Sequence, residues 1–280
     1  MRVKFADVGT IKTRYLYEGT GPALVLIHGI GHSADVFYRN IDILAQDHFV
    51  LAPDLPGHGF TQSMDLRGGA PQPLFVNQLE LLLDDLGIDS YSIVGSSFGG
   101  LLACLMTLSR PARVSNLIVV GSGGAFHAAG EQRRTLQKVL ANASSAMSEP
   151  TLANCRSRLA SICHDPNAVA EEILLTQLTS YGSGDRFEAF EAAITGYLDS
   201  LDSEDCRVYG RLEAIKSRTM IITGKQDSRA SVESHVQAKE RISGSQLVLL
   251  DGCGHLPYME HANTFNRIVL EFISGHESLA

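Results

Sequence analysis

Apolar residues in this chain gather in short unbroken runs, separated by longer stretches in which Leu, Val and Ala recur at helical spacing. Ala23-Leu24-Val25-Leu26-Ile27, Phe49-Val50-Leu51-Ala52, Ser92-Ile93-Val94, Val114–Val120, Thr219–Thr223 and Gln246–Leu250 are such runs. A continuous apolar run of about four to eight residues suits a strand buried on both faces, as a parallel sheet requires. Residues 2–8 and 11–17 alternate instead, around a Gly9-Thr10 turn, and predict an edge hairpin. Helical spacing covers 36–46, Phe75 to Leu86 with Gly87 as C-cap, the stretch from Phe98 towards Pro111, Val232–Ile242 and Asn263–Ile273. Residues 62–73, rich in Gly, Pro and Gln, predict a loop. Strands and helices in this rhythm predict an α/β fold, with a mostly parallel central sheet covered by helices on both faces.

The rhythm breaks between about residues 125 and 207. No strand-like run occurs there, only the amphipathic stretches Glu131–Ala141, Glu149–Ile162, Asn167–Leu178 and Phe187–Leu201, with Pro150 and Pro166 near helix starts. The pattern predicts a core domain formed by residues 1–124 and 208–280, interrupted by a helical cap over 125–207.

Composition narrows the partners. A formal net charge of −8 with no Lys/Arg cluster opposes binding to nucleic acid and leaves a small-molecule substrate. Five cysteines, none in a C-x-x-C pair, indicate reduced thiols rather than disulfides or a zinc site. The N-terminal residues carry no apolar signal region, and nowhere do apolar residues run long enough to span a bilayer, so a cytoplasmic protein with no membrane partner is expected. A homodimer is left open.

Chemistry concentrates at Gly95-Ser96-Ser97-Phe98-Gly99, between a buried strand and a helix. A G-x-S-x-G turn in that context is a nucleophile elbow, which raises Ser97 clear of the sheet at a helix N-terminus. A serine hydroxyl needs a base, and the base needs an orienting acid. In this architecture both follow the nucleophile, each in a loop after a strand, which selects Asp227 in Gly224-Lys225-Gln226-Asp227 and His255 in Gly254-His255. Asp251 is the competing acid. His235, His261 and His276 read as surface residues. The backbone N–H groups of Phe98 and of Ile30, in His28-Gly29-Ile30-Gly31, are the expected oxyanion donors. His28, Asp54 and His58 read as organisers of their loops. No metal-ligand spacing and no dinucleotide fingerprint is present, so neither metal nor cofactor is expected.

These residues together resemble the α/β-hydrolase superfamily over nearly the whole chain: His28-Gly29, the loop Pro53-Asp54-Leu55-Pro56-Gly57-His58-Gly59, the elbow, the acid loop and Gly254-His255. Glu149-Pro150-Thr151-Leu152, Asp165-Pro166-Asn167 through Glu171-Glu172-Ile173-Leu174, and Glu260-His261-Ala262 through Phe265-Asn266-Arg267 are similar to the meta-cleavage-product hydrolases, which split carbon–carbon bonds in ring-fission products. The resemblance implies a cap Arg-Trp pair that binds the dienoate, but Gln177 and Leu178 stand at the matching positions, and Leu256 replaces a Trp after the histidine. Substrate contacts are expected from Gly29, Phe126, Gln177, Leu178 and Leu256. Without that Arg, a carboxylate would be buried unpaired, so the expectation is a serine hydrolase of a small neutral carboxylic ester. Carbon–carbon hydrolysis of a 2-hydroxy-6-oxo-dienoate is the alternative, and a non-catalytic ligand-binding protein on this fold is an alternative of another class.

Overall fold

The first residues form the predicted edge hairpin: β1 (Arg2–Val8) runs antiparallel to β2 (Ile11–Glu18), with Gly9 at φ 58° in the turn. The remaining strands are β3 (Ala23–Ile27), β4 (Phe49–Pro53), β5 (Tyr91–Ser96), β6 (Val114–Val120), β7 (Arg218–Gly224) and β8 (Gln246–Leu250). In this computed structural model, which describes residues 1–275, all eight lie in one sheet ordered β1-β2-β4-β3-β5-β6-β7-β8. Every pairing from β4 through β8 is parallel, while β2 meets β4 antiparallel. Leu24 to Ile27 of β3 and all six residues of β5 are buried, so both faces of the sheet centre are covered, as unbroken apolar runs require. His276 lies outside the described residues.

Helices α1 (Pro71–Asp85) and α2 (Phe98–Ser109) precede β6. Helix α1 begins inside the predicted loop, with Pro71 at its first turn, where a missing N–H costs nothing. The helix predicted over 36–46 is instead two short turns, Ala34–Phe37 and Ile41–Leu44. Buried Asn40 interrupts it by donating its side-chain amide to the Tyr258 carbonyl (3.2 Å) and to Asn266 Oδ1 (2.7 Å).

Between β6 and β7 the chain leaves the sheet for α3 (Ala129–Ser148), α4 (Leu152–Ala160), α5 (Glu171–Tyr181) and α6 (Arg186–Asp199). Helix α3 continues past the predicted stop at Ala141, because Asn142 to Ser148 holds only small residues and a Met, without Gly or Pro to break it. Helix α3 packs on α4 and α6, and α4 on α5. The fold resumes with α7 (Val232–Arg241) and closes with α8 (Ala262–Ser274).

The chain runs from β3 outward to β4 on one side, then returns to place β5 on the other side of β3. At such a reversal the loops leaving the carboxyl ends of the two strands diverge and open a crevice. Ile27 pairs with Gly95 at this point, so the turn after β3 and the elbow after β5 face each other.

Candidate active site

Ser97 occupies a backbone conformation that L-residues avoid, with φ 53° and ψ −116°. Hydrogen bonds to its main chain hold it there. Its N–H donates to the Val120 carbonyl (2.8 Å), and its carbonyl accepts from Gly100 N–H (3.0 Å) and Ser122 Oγ (2.6 Å). Gly99 is required because a Cβ there would strike the Ile27 and His28 carbonyl oxygens. The elbow's strain is thus imposed by surrounding packing, as in many functional sites.

Two backbone donors accompany the serine. Phe98 N–H opens α2, and Ile30 N–H lies in the turn after β3; neither is engaged by a partner among the described residues. That turn is fixed from beneath by buried His28, whose Nδ1 donates to the Gly29 carbonyl (2.8 Å) while its Nε2 accepts Leu55 N–H (3.0 Å). Burial lowers the His28 pKa to about 4, keeping it a neutral structural link. Asp54 likewise organises its loop, accepting from Ala34 N–H (2.7 Å), Phe60 N–H (2.8 Å) and Arg14 (3.1 Å).

The loops after β7 and β8 bring Asp227 and His255 together. His255 Nδ1 lies 2.9 and 3.0 Å from the two Asp227 carboxylate oxygens. The Asp227 carboxylate is fully buried and also accepts Arg229 N–H (2.7 Å) and Ala230 N–H (3.1 Å). Burial alone would raise its pKa, but the His255 charge and these hydrogen bonds outweigh burial and hold the pKa below the usual carboxylate value. Asp251 is exposed and binds Gln226 (3.3 Å) instead.

Ser97 and His255 line one cavity, together with Ile30 and Phe98. Among the described residues no hydrogen bond joins the Ser97 hydroxyl to the imidazole, a contact that commonly tightens only when substrate is bound. The cavity's free interior is about 40 Å³. That is room for roughly three water molecules. Much of its remaining wall comes from the insertion: Gln132, Leu136 and Val139 on α3, Arg158 on α4, and Tyr197 on α6.

The expected substrate contacts fall elsewhere. Gly29 approaches Ser97, since a Cβ on it would lie 3.1 Å from Ser97 Cβ, but it does not line the cavity. Phe126 turns edge-on to the His235 ring at 5.1 Å, Leu178 packs against the core, and Leu256 is buried beneath the histidine loop. Gln177 is buried with neither amide atom hydrogen-bonded, and it is not part of the lining. His235, expected at the surface, is fully buried, with Nε2 accepting Ser122 N–H (3.2 Å).

Two guanidinium groups line the cavity that sequence reading passed over. Arg158 is 5% exposed; among the described residues its only side-chain hydrogen bond is to the neutral Tyr181 hydroxyl, which donates to the Gly31 carbonyl (2.7 Å). Arg229 makes no side-chain hydrogen bond or ion pair among the described residues. Burial, then repulsion from Arg158, lowers its pKa to about 10 despite nearby Asp227. His32, also in the lining, is held neutral by burial and by Arg158. The loss of an Arg at position 177 therefore does not leave the pocket without positive charge.

Residues 22–262 match the sequence model of a family described as the alpha/beta hydrolase fold. The chain belongs to the α/β-hydrolase family. Within it, this hydrolase is 32% identical over 279 residues to a 2-hydroxy-6-oxononadienedioate/2-hydroxy-6-oxononatrienedioate hydrolase of Burkholderia vietnamiensis, covering 97% of this chain and 94% of the relative. It is 28% identical to a 2-hydroxy-6-oxo-2,4-heptadienoate hydrolase of Pseudomonas putida, over 96% and 95% of the two chains. The crystal structure of a meta-cleavage product hydrolase from Pseudomonas fluorescens superposes with a TM-score of 0.80 at 26% identity, over 97% of each chain. These relatives overturn the expectation of an ester substrate: proteins matching this α/β-hydrolase end to end carry names of carbon–carbon hydrolases. The ester reading had rested on the missing Arg at 177, and Arg158 and Arg229 remove that ground.

No helix among the described residues is long and apolar enough to cross a membrane.

Proposed function

We propose that this chain hydrolyses the carbon–carbon bond of a 2-hydroxy-6-oxo-dienoate, with Ser97 as nucleophile, His255 as base and Asp227 as its orienting acid. The 2.9 Å contact of His255 with buried Asp227, in a cavity shared with Ser97, carries this reading. The full-length relatives supply the substrate class.

In its diketo form, such a substrate is a vinylogous diketone with a ketone at C6. His255 takes the Ser97 proton as the hydroxyl attacks that carbonyl, and the Ile30 and Phe98 N–H groups hold the oxyanion. Collapse breaks the C5–C6 bond. The departing electron pair spreads through the enone to the C2 oxygen, and His255 returns its proton to the leaving fragment. An acyl-Ser97 ester remains, which water resolves with His255 again as base. No metal or cofactor is needed, because the substrate's own conjugation accepts the electron pair.

The insertion over residues 125–207 acts as a cap. Helices α3 and α4 cover Ser97 from above through Leu136, Val139 and Arg158. The test is to incubate the purified protein with 2-hydroxy-6-oxonona-2,4-dienedioate while following loss of the dienol absorbance. Release of succinate and 2-hydroxypenta-2,4-dienoate in equal amounts supports the proposal. An inert dienedioate and heptadienoate would refute it.

A further inference from the structure

The cavity combines features that its proposed catalytic groups do not require. Arg158 is almost wholly buried and has no carboxylate within ion-pair distance among the described residues. Arg229 faces the same space, and the carboxylate closest to it in function, Asp227, already binds His255 and two main-chain N–H groups. A buried cation without a counter-charge costs several kcal/mol, which applies to Arg158, and the half-buried Arg229 facing the same space adds repulsion between the two. A site that bound a neutral ligand would carry that cost with no return. A ligand with two negative groups would offset both charges at once.

The two positions differ in depth. Arg158 hangs from α4 over the oxyanion turn, where Tyr181 ties it to Gly31, and among the described residues its other guanidinium N–H groups have no partner. Arg229 stands at the border between the cavity and an adjoining surface cleft lined by His127, Lys138 and Ser231. A group at the far end of a ligand can therefore reach Arg229 from the mouth.

We propose that this is a two-carboxylate site, in which Arg158 takes the carboxylate conjugated to the dienol and Arg229 takes a second carboxylate on the acyl fragment. Choosing a dienedioate over a monoacid deepens the carbon–carbon reading above and rests on it for the carbon frame. The anion pair itself does not. After bond cleavage the second carboxylate stays with the acyl group on Ser97, still held by Arg229, while the dienoate departs from Arg158.

The test compares the dienedioate with 2-hydroxy-6-oxohepta-2,4-dienoate, which lacks the second carboxylate. The unmodified protein is expected to favour the dienedioate by at least about tenfold in kcat/KM. Arg229→Gln should erase that preference by lowering dienedioate kcat/KM to about the heptadienoate value. Arg158→Gln should raise KM for both substrates by about a hundredfold, and Arg158→Lys should recover part of the loss. If Arg158→Gln does not fold, Arg229→Gln decides.

Adipate gives a readout free of turnover, because it has two carboxylates and no scissile bond. Calorimetry should show adipate binding more tightly than hexanoate, with the advantage lost in Arg229→Gln. Adipate discrimination in a protein inert to both dienoates would sink the carbon–carbon reading and keep the two-carboxylate site. Turnover of both dienoates alike, with adipate and hexanoate bound alike, would sink the site and keep the reaction. An equal loss on both substrates in Arg229→Gln would also overturn the site.

Discussion

The main-chain N–H of His255 donates to the carbonyl of Ile162 at 2.8 Å, so the loop that presents the imidazole is bonded directly to the insertion. Glu260 strengthens the same junction. Its carboxylate accepts Gly254 N–H (3.0 Å) and Leu256 N–H (3.2 Å) on either side of the histidine, and His164 N–H (2.6 Å) from the insertion. One acidic side chain thus joins the imidazole's loop to the segment between α4 and α5 of the insertion.

Glu260→Gln keeps the shape but gives up the charge that makes these hydrogen bonds strong. The expected result is a kcat about tenfold lower with KM little changed, corresponding to roughly 1.4 kcal/mol in the transition state. Steady-state kinetics on the dienedioate check this. An unchanged kcat would show that the junction does not position His255.

Asp227→Asn leaves a group of the same size beside His255 Nδ1 but removes the charge that favours the imidazolium. A fall in kcat of about 10³ to 10⁴ is expected, with the fold retained. Circular dichroism and kinetics on one preparation measure both. A loss below about tenfold would remove Asp227 from the proposed triad.

Stability should fall on acidification, and the histidines give the sign. Burial lowers the pKa of His28 to about 4, of His58 to about 3 and of His235 to about 4. In the unfolded chain these groups titrate near 6.5, so below that pH the unfolded state binds more protons and gains on the folded one. Their contribution is complete above pH 6.5 and drains away as pH falls towards about 4, where His28 and His235 titrate in the folded protein. Together they should cost several kcal/mol and lower Tm by on the order of 10 °C between pH 7 and pH 4.5. Scanning calorimetry checks this, and a Tm constant over the interval would contradict buried neutral histidines.

Much of this arrangement was legible in the chain. The run 23–27 is a strand with those bounds, because burial on both faces leaves little choice of residue type, and 246–250 is also a strand with those bounds although it is only half-buried at the sheet's edge. The elbow was legible because strand, tight turn and helix must each use distinctive residues. Arg158 was not. It shares an amphipathic helix with Arg156, two positions away, and only the packing of α4 separates them: Arg156 faces outward to Glu171, while Arg158 turns into the cavity. Periodicity reports that a helix has two faces and says little about which long cation lies on the inner one. Arg229 was equally silent, since a loop residue beside an acid looks solvated until the insertion covers it. Glu260 was read only as part of a resembling segment, because its N–H partners Gly254, Leu256, His164 and Asp165 lie in two loops that meet through folding.

The central claim is that Ser97 forms a covalent acyl intermediate while a carbon–carbon bond breaks. The most direct measurement is rapid-quench intact-protein mass spectrometry during dienedioate turnover, with Ser97→Ala alongside. A transient mass gain equal to a succinyl group, mapped to Ser97, is expected, with a rate at least about 10³-fold lower and no adduct in Ser97→Ala. Comparable dienedioate cleavage by Ser97→Ala, or an adduct on another residue, would contradict it.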